Sequence, residues 1–259
     1  MRLLSRALLA ATLLTLVAVG GAALYLAGKR ASTSPPVLVR PGIAAEKGAG
    51  AWLYAVRAGR GLVLFDAGTD PKGRPIDAAL RALGATRDDV TDVFLTHGHT
   101  DHTSGAAAVP RARVHAGAAD AGQAAGPDGP PGPLERVLGP LLFTGPARVD
   151  DAIDGERPIE LPGGGTVLAI PVPGHSQGST AYLLQGALYV GDVVSYQDGR
   201  LVEAPRLFSA DPEWNARSVA ALASRLGDVP LVRICTGHGG CTPEGTARDL
   251  LQAFAAGAS

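Results

Sequence analysis

Three histidines and an aspartate fall within six residues, at His97, His99, Asp101 and His102. Imidazole suits zinc and a carboxylate can complete its shell, so the run Thr96-His97-Gly98-His99-Thr100-Asp101-His102 has the donor density of a metal-binding loop. The chain has only six histidines in 259 residues, and three at this spacing are not the scatter of a polar loop. Three further candidate donors each follow a glycine at the carboxyl end of a strand-like segment: His175 after Pro173-Gly174, Asp192 after Val190-Gly191, and His238 after Thr236-Gly237. Glycine there frees the backbone to aim one side chain into a common mouth. Asp66 ends another such segment ahead of the cluster. Singly, each is an ordinary polar loop residue; together they supply enough donors for a two-metal centre.

The elements that must position these residues alternate. Residues 51–56 and 61–65 read as strands joined by a turn at 58–60, and 76–83 as a helix with Ile76, Ala79, Leu80 and Leu83 on one face and Gly84 as its stop. A strand over 90–95 delivers Thr96 and the cluster, and a short one is expected at 113–115. From 117 to 157 the pattern breaks around Gly126-Pro127-Asp128-Gly129-Pro130-Pro131-Gly132-Pro133, which predicts a loop region. Strands resume at 166–171, 179–184 and 187–190, the last two separated by Gln185-Gly186. A helix is predicted over 211–226, with Asp211 as N-cap and Pro212 at its first position; a strand over 231–236 and a closing helix over 243–255 follow. The alternation predicts a mixed α/β layered fold without internal repeats.

A hydrophobic fraction of 46% permits a large core, and a formal net charge of -1 gives no electrostatic footprint for nucleic acid, which is dropped as a partner. The N-terminus departs from the rest. Arg2 and Arg6 precede an uncharged apolar run over 7–28, closed by Lys29-Arg30. Its length matches the roughly 20 residues of a membrane-spanning helix better than the core of a signal peptide. An uncleaved transmembrane anchor over 1–30 is therefore expected, with a signal peptide cut near Gly20-Gly21-Ala22-Ala23 as the alternative. Either one places the globular part outside the cytoplasm, membrane-anchored or secreted. Residues 31–36 read as a Ser/Pro linker, and 37–259 as the catalytic domain. The two cysteines, Cys235 and Cys241, flank His238; they could close a short disulfide, remain free thiols, or lend one metal ligand.

Taken in order, Asp66 with Gly68, the His97/His99/Asp101/His102 cluster, His175, Asp192 and His238 resemble the metallo-β-lactamase superfamily, over residues 37 to the C-terminus. The resemblance implies a four-layer αβ/βα sandwich with the metal site at one edge. It implies that His97, His99 and His175 hold one metal, that Asp101, His102 and His238 hold the other, and that Asp192 bridges them. The implied cofactor is a pair of Zn2+ ions, with iron or manganese as alternatives. Asp66 and Thr96 are then placed behind the ligands, while His115, which matches no ligand motif, is read as a surface residue or as one that braces a ligand.

Two zinc ions about 3.5 to 4 Å apart would share a water acidic enough to give hydroxide near neutral pH, which attacks a carbonyl or phosphorus centre. Asp101, beside that water, is the candidate catalytic proton shuttle. Asp192 matches the bridging aspartate of glyoxalase II-like, lactonase-like and phosphodiesterase-like members, which true β-lactamases generally lack. A hydrolase of a small-molecule ester, thioester or lactone is therefore expected. The chain ends 21 residues after His238, short of the added helical domain of glyoxalase II. The alternatives are a β-lactamase, a phosphodiesterase, an iron-dependent oxygenase of the same fold, or a non-catalytic metal-binding module. Tyr196, Arg206, Trp214 and the loop 117–155 are candidate substrate contacts, with packing or solvation as the equal alternative.

Overall fold

The computed structural model describes residues 36–40, 42–48, 50–122 and 148–257. The apolar segment 7–28, nearly all of the linker and most of the breaker-rich stretch, 123–147, lie outside the described residues. Among the described residues no helix is long and apolar enough to cross a membrane.

Seven strands lie side by side in chain order: β1 (Val37–Arg40), β2 (Ile43–Lys47), β3 (Trp52–Ala58), β4 (Gly61–Phe65), β5 (Val90–Leu95), β6 (Arg113–Gly117) and β7 (Asp151–Ile153). They are antiparallel up to β4 and parallel from β4 to β7. The chain continues through β8 (Arg157–Glu160), β9 (Thr166–Pro171), β10 (Thr180–Leu184), β11 (Ala187–Gly191), a separate hairpin of β12 (Val194–Gln197) and β13 (Arg200–Glu203), then β14 (Arg233–Thr236) and β15 (Gly240–Cys241). Six of these form the second sheet, in the order β15-β14-β11-β10-β9-β8. Four helices accompany the sheets among the described residues: α1 (Arg74–Ala82), α2 (Thr100–Thr103), α3 (Pro212–Arg225) and α4 (Ala247–Gly257).

The layers follow from strands buried on both faces. In β4, Leu62 and Leu64 face one apolar cluster and Val63 and Phe65 the other, as side chains alternate along a strand. Phe65 stacks on Tyr189 of the second sheet at 3.7 Å between ring centroids and lies 5.5 Å from Phe94, so an aromatic layer fills the space between the sheets. Outside it, Ile76, Ala79 and Leu80 of α1 cover the first sheet, and Val219, Leu222 and Leu251 of α3 and α4 cover the second. The result is the mixed α/β four-layer sandwich expected from the sequence.

Several elements differ from expectation. β1 and β2 were not anticipated, β7 lies inside the breaker-rich stretch and β8 starts at its end: with three and four residues they are too short for periodicity to show, and each is held by one inward isoleucine, Ile153 or Ile159. The closing helix begins at Ala247, because Gly245 turns the chain with φ 80° just before it. His115 is not a surface residue. It is fully buried on β6, its Nδ1 is 2.8 Å from Asp151 Oδ2, its Nε2 is 2.9 Å from Asp92 Oδ1, and its ring stacks on Phe94. A parallel strand between two others has no wet face, so a polar ring there needs a partner at each nitrogen.

Glu46 carries the opposite situation. It points from β2 to the same side as Ala44, is 4% exposed, and burial pushes its carboxyl up to about 7 against the pull of Arg81. The folded state therefore keeps a proton that the unfolded chain has released from its ordinary value of 4.5 upward, and stability falls as pH rises from there to about 7. Glu46→Gln, which has no proton to release there, is expected to flatten this fall and to be about 1 to 3 kcal/mol more stable than the native chain at pH 8. Urea unfolding at pH 5 and pH 8 tests this; equal slopes for both proteins would rule it out.

Candidate metal centre

The site is built where strand ends from both sheets meet. β4 delivers Asp66 in a left-handed conformation, φ 58°, which a short polar side chain tolerates. That turn aims its carboxylate at the end of β5: it accepts the Thr96 N–H (2.8 Å) and the Thr96 hydroxyl (2.9 Å), and lies 2.7 Å from His102 Nδ1. Thr96 Oγ1 is also 3.1 Å from His97 Nδ1. His175 Nδ1 lies 3.2 Å from Ser209 Oγ, and His238 Nδ1 lies 3.1 Å from the carbonyl of Gly50. These four histidines are thus braced through one nitrogen and present the other, the arrangement that fixes ring orientation in metal sites.

All seven expected donors come together. Three groups form, His97/His99/His175, His97/His102/Asp192 and Asp101/His102/His238, and within each the donor atoms lie within 4.8 Å of one another. Asp192 stands between them: Oδ1 is 3.4 Å from His102 Nε2, while Oδ2 is 3.0 Å from His238 Nε2 and 3.9 Å from His175 Nε2. Asp101 Oδ2 is 3.5 Å from His238 Nε2. The glycines before the donors serve close approach as well as turning. A Cβ at Gly237 would overlap Asp192 Oδ1, and one at Gly191 would overlap Thr96 Oγ1.

The electrostatics suit a cation. Burial, reinforced by the neighbouring imidazoles, holds His97 well below its ordinary value and His175 down at about 3, so both stay in the neutral form that ligates metal. Burial opposes charge on His102 and His238 too, but Asp192, joined by Asp66 and Asp101 at His102 and by Asp101 at His238, outweighs it and holds both above the usual range. Asp192 is held well below the carboxylate range, its burial outweighed by those two imidazoles. A cation entering this set replaces the protons, since imidazole ligates when neutral. His97 Nε2, His102 Nε2 and Asp192 Oδ1 are buried without a hydrogen-bond partner, which fits donors arranged around an ion rather than around each other. Imidazole and carboxylate donors fit zinc, and iron or manganese also.

Four residues of the surroundings escaped the sequence. Gly50 and Ser209 carry no local signal for the braces they provide. Asp120 and Ser176 lie behind the histidines, and Asp120 did carry a sign, an acid just past a strand end like Asp66 and Asp192. Of the expected substrate contacts, the Tyr196 backbone lies against Gly239, next to His238, Arg206 pairs with Glu213 at 3.1 Å, Trp214 is 39% exposed beside its helix cap, Asp211, and most of the loop 117–155 lies outside the described residues. Cys235 and Cys241 are joined in a disulfide across β14 and β15, enclosing His238, so neither is a ligand.

Comparison with known proteins agrees with this geometry. A family model described as the metallo-beta-lactamase superfamily matches residues 48–238. The hydroxyacylglutathione hydrolase of Pseudomonas paraeruginosa is 33% identical over 177 residues, covering 67% of this chain and 56% of that protein. The one of Halorhodospira halophila is 31% identical over 147 residues, covering 56% and 46%. The chain thus spans about half the length of these relatives. The uncharacterized protein YobT of Bacillus subtilis is 28% identical, covering 72% of this chain and 82% of its own. Among solved structures, a metallo-beta-lactamase of Cronobacter sakazakii with a HARLDQ motif has a TM-score of 0.63 at 26% identity, covering 83% and 81%. A subclass B3 metallo-beta-lactamase of Bradyrhizobium japonicum has a TM-score of 0.62 at 22% identity, covering 88% and 92%, a likeness of fold.

Proposed function

The chain belongs to the metallo-beta-lactamase superfamily, and from that premise we propose that it is a zinc-dependent hydrolase of ester, thioester or lactone bonds in small molecules. The observation that carries this is Asp192, whose two oxygens face donors of both sets. His97, His99 and His175 would hold one ion, Asp101, His102 and His238 the other, and Asp192 would bridge them. Bound there, two zinc ions supply a water acidic enough to ionise near neutral pH and a Lewis acid for the scissile carbonyl oxygen.

The chain's own residues do the rest. The four histidines at 97, 99, 102 and 175 are at most 4% exposed and form a dry floor, whereas the side chains of Asp101 and His238 are 26% and 40% exposed and mark the side from which substrate arrives. Asp101, on that exposed side, would take a proton from the attacking water and return it to the leaving group. A thioester is favoured by the kinship with hydroxyacylglutathione hydrolases. β-Lactam hydrolysis is the second possibility, favoured by the likeness to the Cronobacter enzyme; Asp192, resembling the bridging aspartate of the thioester and lactone branch, weighs against it. The disulfide beside His238 supports an oxidising compartment, with the domain held at a membrane by residues 7–28 or released after cleavage.

The test is to measure metal content and to assay the zinc-loaded protein on an acyl-glutathione thioester, a lactone, an aryl phosphodiester and a cephalosporin. Two zinc ions per chain and turnover of thioester or lactone, lost on chelation and restored by zinc, are expected. One iron would point to an oxygenase, and a protein that takes up no metal would overturn the proposal.

A further inference from the structure

We propose that Asp120 is a positioning residue for the three-histidine donor set, clamping His97, His99 and His175 from behind; this rests on that set holding a metal ion. Asp120 lies just past β6, in the turn Ala118–Asp120, and is 2% exposed. One oxygen, Oδ2, accepts the Gly98 N–H at 3.0 Å and the Ser176 hydroxyl at 2.5 Å; the other, Oδ1, accepts the Gly178 N–H at 2.8 Å. Gly98 is the residue between His97 and His99, and Ser176 is the residue after His175. These two loops belong to different sheets: the first follows β5, the second joins β9 to β10. A single carboxylate therefore ties the histidines of one sheet to the histidine of the other.

The surroundings leave little slack. Ser179 Oγ accepts the Ser176 N–H at 2.9 Å and lies 2.7 Å from Ser176 Oγ, which closes the second loop on itself. A Cβ at Gly178 would fall 2.5 Å from the Asp120 nitrogen and 2.7 Å from its Cγ, and one at Gly117 would overlap the Gly178 carbonyl. Bonds to a carboxylate are short and strong compared with neutral ones, so three of them on a buried acid fix the spacing of what they hold. Asp66 has the matching task on the other side, where it faces His102 and Thr96. Asp66 faces His102 directly and reaches His97 only through Thr96, so removing Asp120 loosens the three-histidine set while His102 keeps its brace.

Asp120→Asn keeps the shape but turns an N–H toward one of the two backbone donors. Zinc titration of the metal-free full chain, in competition with a chelating dye, reads the effect. One of the two zinc affinities is expected to fall by about 10- to 100-fold, as when residues behind a ligand are removed, and the other to stay within about threefold. The affinity that falls is the one abolished by His99→Ala. Ser176→Ala, which deletes one hydroxyl and leaves both backbone bonds, is expected to weaken the same affinity several-fold, and it decides the matter if Asp120→Asn does not fold. Two unchanged affinities, or two that fall together, overturn the clamp. Because the readout is zinc uptake, a native protein that binds zinc but hydrolyses nothing would overturn the hydrolase proposal alone, whereas one that takes up no zinc would overturn both.

Discussion

Asp192→Asn is expected to lower turnover by at least about 10³-fold and to leave one tightly bound zinc in place of the proposed two. Removing one preorganised electrostatic group already costs about 10²- to 10³-fold in other enzymes, and this substitution adds the loss of the ligand proposed to be shared by both ions. The side chain is 9% exposed, and the amide would fit the same space. What changes is charge: His102 and His238 lose the carboxylate that faces them at 3.4 Å and 3.0 Å. With little change in size, substrate binding should be spared, so kcat falls while KM moves little. Metal analysis beside steady-state kinetics checks both parts. A variant that keeps two zinc ions and a rate within tenfold of native would remove Asp192 from the centre of the chemistry.

Asp66→Ala is expected to cost about 3 to 5 kcal/mol of stability in the metal-free protein, the range for breaking a buried ionic partnership. Three interactions vanish together: the acceptor for the Thr96 N–H, the acceptor for its hydroxyl, and the partner of His102 Nδ1, all buried. Alanine must also adopt the left-handed backbone that Asp66 occupies. His102, no longer oriented, should lose zinc about 10- to 100-fold more readily. Asp66→Asn tolerates the backbone and keeps an acceptor for Thr96, so it should recover part of the stability. Urea denaturation followed by zinc titration measures the two effects; an alanine variant as stable as the native chain would show that the carboxylate holds nothing.

Much of the centre was legible because its donors are local or regularly placed. His97, His99, Asp101 and His102 come from one loop, and His175, Asp192 and His238 each follow a glycine at a strand end, so residue type and position agreed before any contact was known. β4 and β5 were equally plain, as apolar runs buried on both faces. What failed to show was decided at a distance. Asp120 had only its place past a strand end as a local sign, and its role is set by partners 22, 56 and 58 residues away; His115 is recognised only by Asp92 and Asp151, 23 and 36 residues away. β7 is three residues long and is held by pairing with β6 rather than by its own pattern. The hairpin of β12 and β13 is a different case: Asp198-Gly199, both with positive φ, is a tight-turn pair present in the sequence that was not read as one.

The crowding at Gly191 and Gly237 has a consequence for how such a protein can change over generations. Because a single methyl group at either position would collide with Thr96 or Asp192, inherited variation there damages the reaction centre itself. The rim is freer, with Phe208 and Trp214 each 39% exposed on the segment that runs past His175. Under the proposed function, a lineage built on this scaffold would change its substrates through exposed positions such as these, while the floor passes unaltered from parent to descendant.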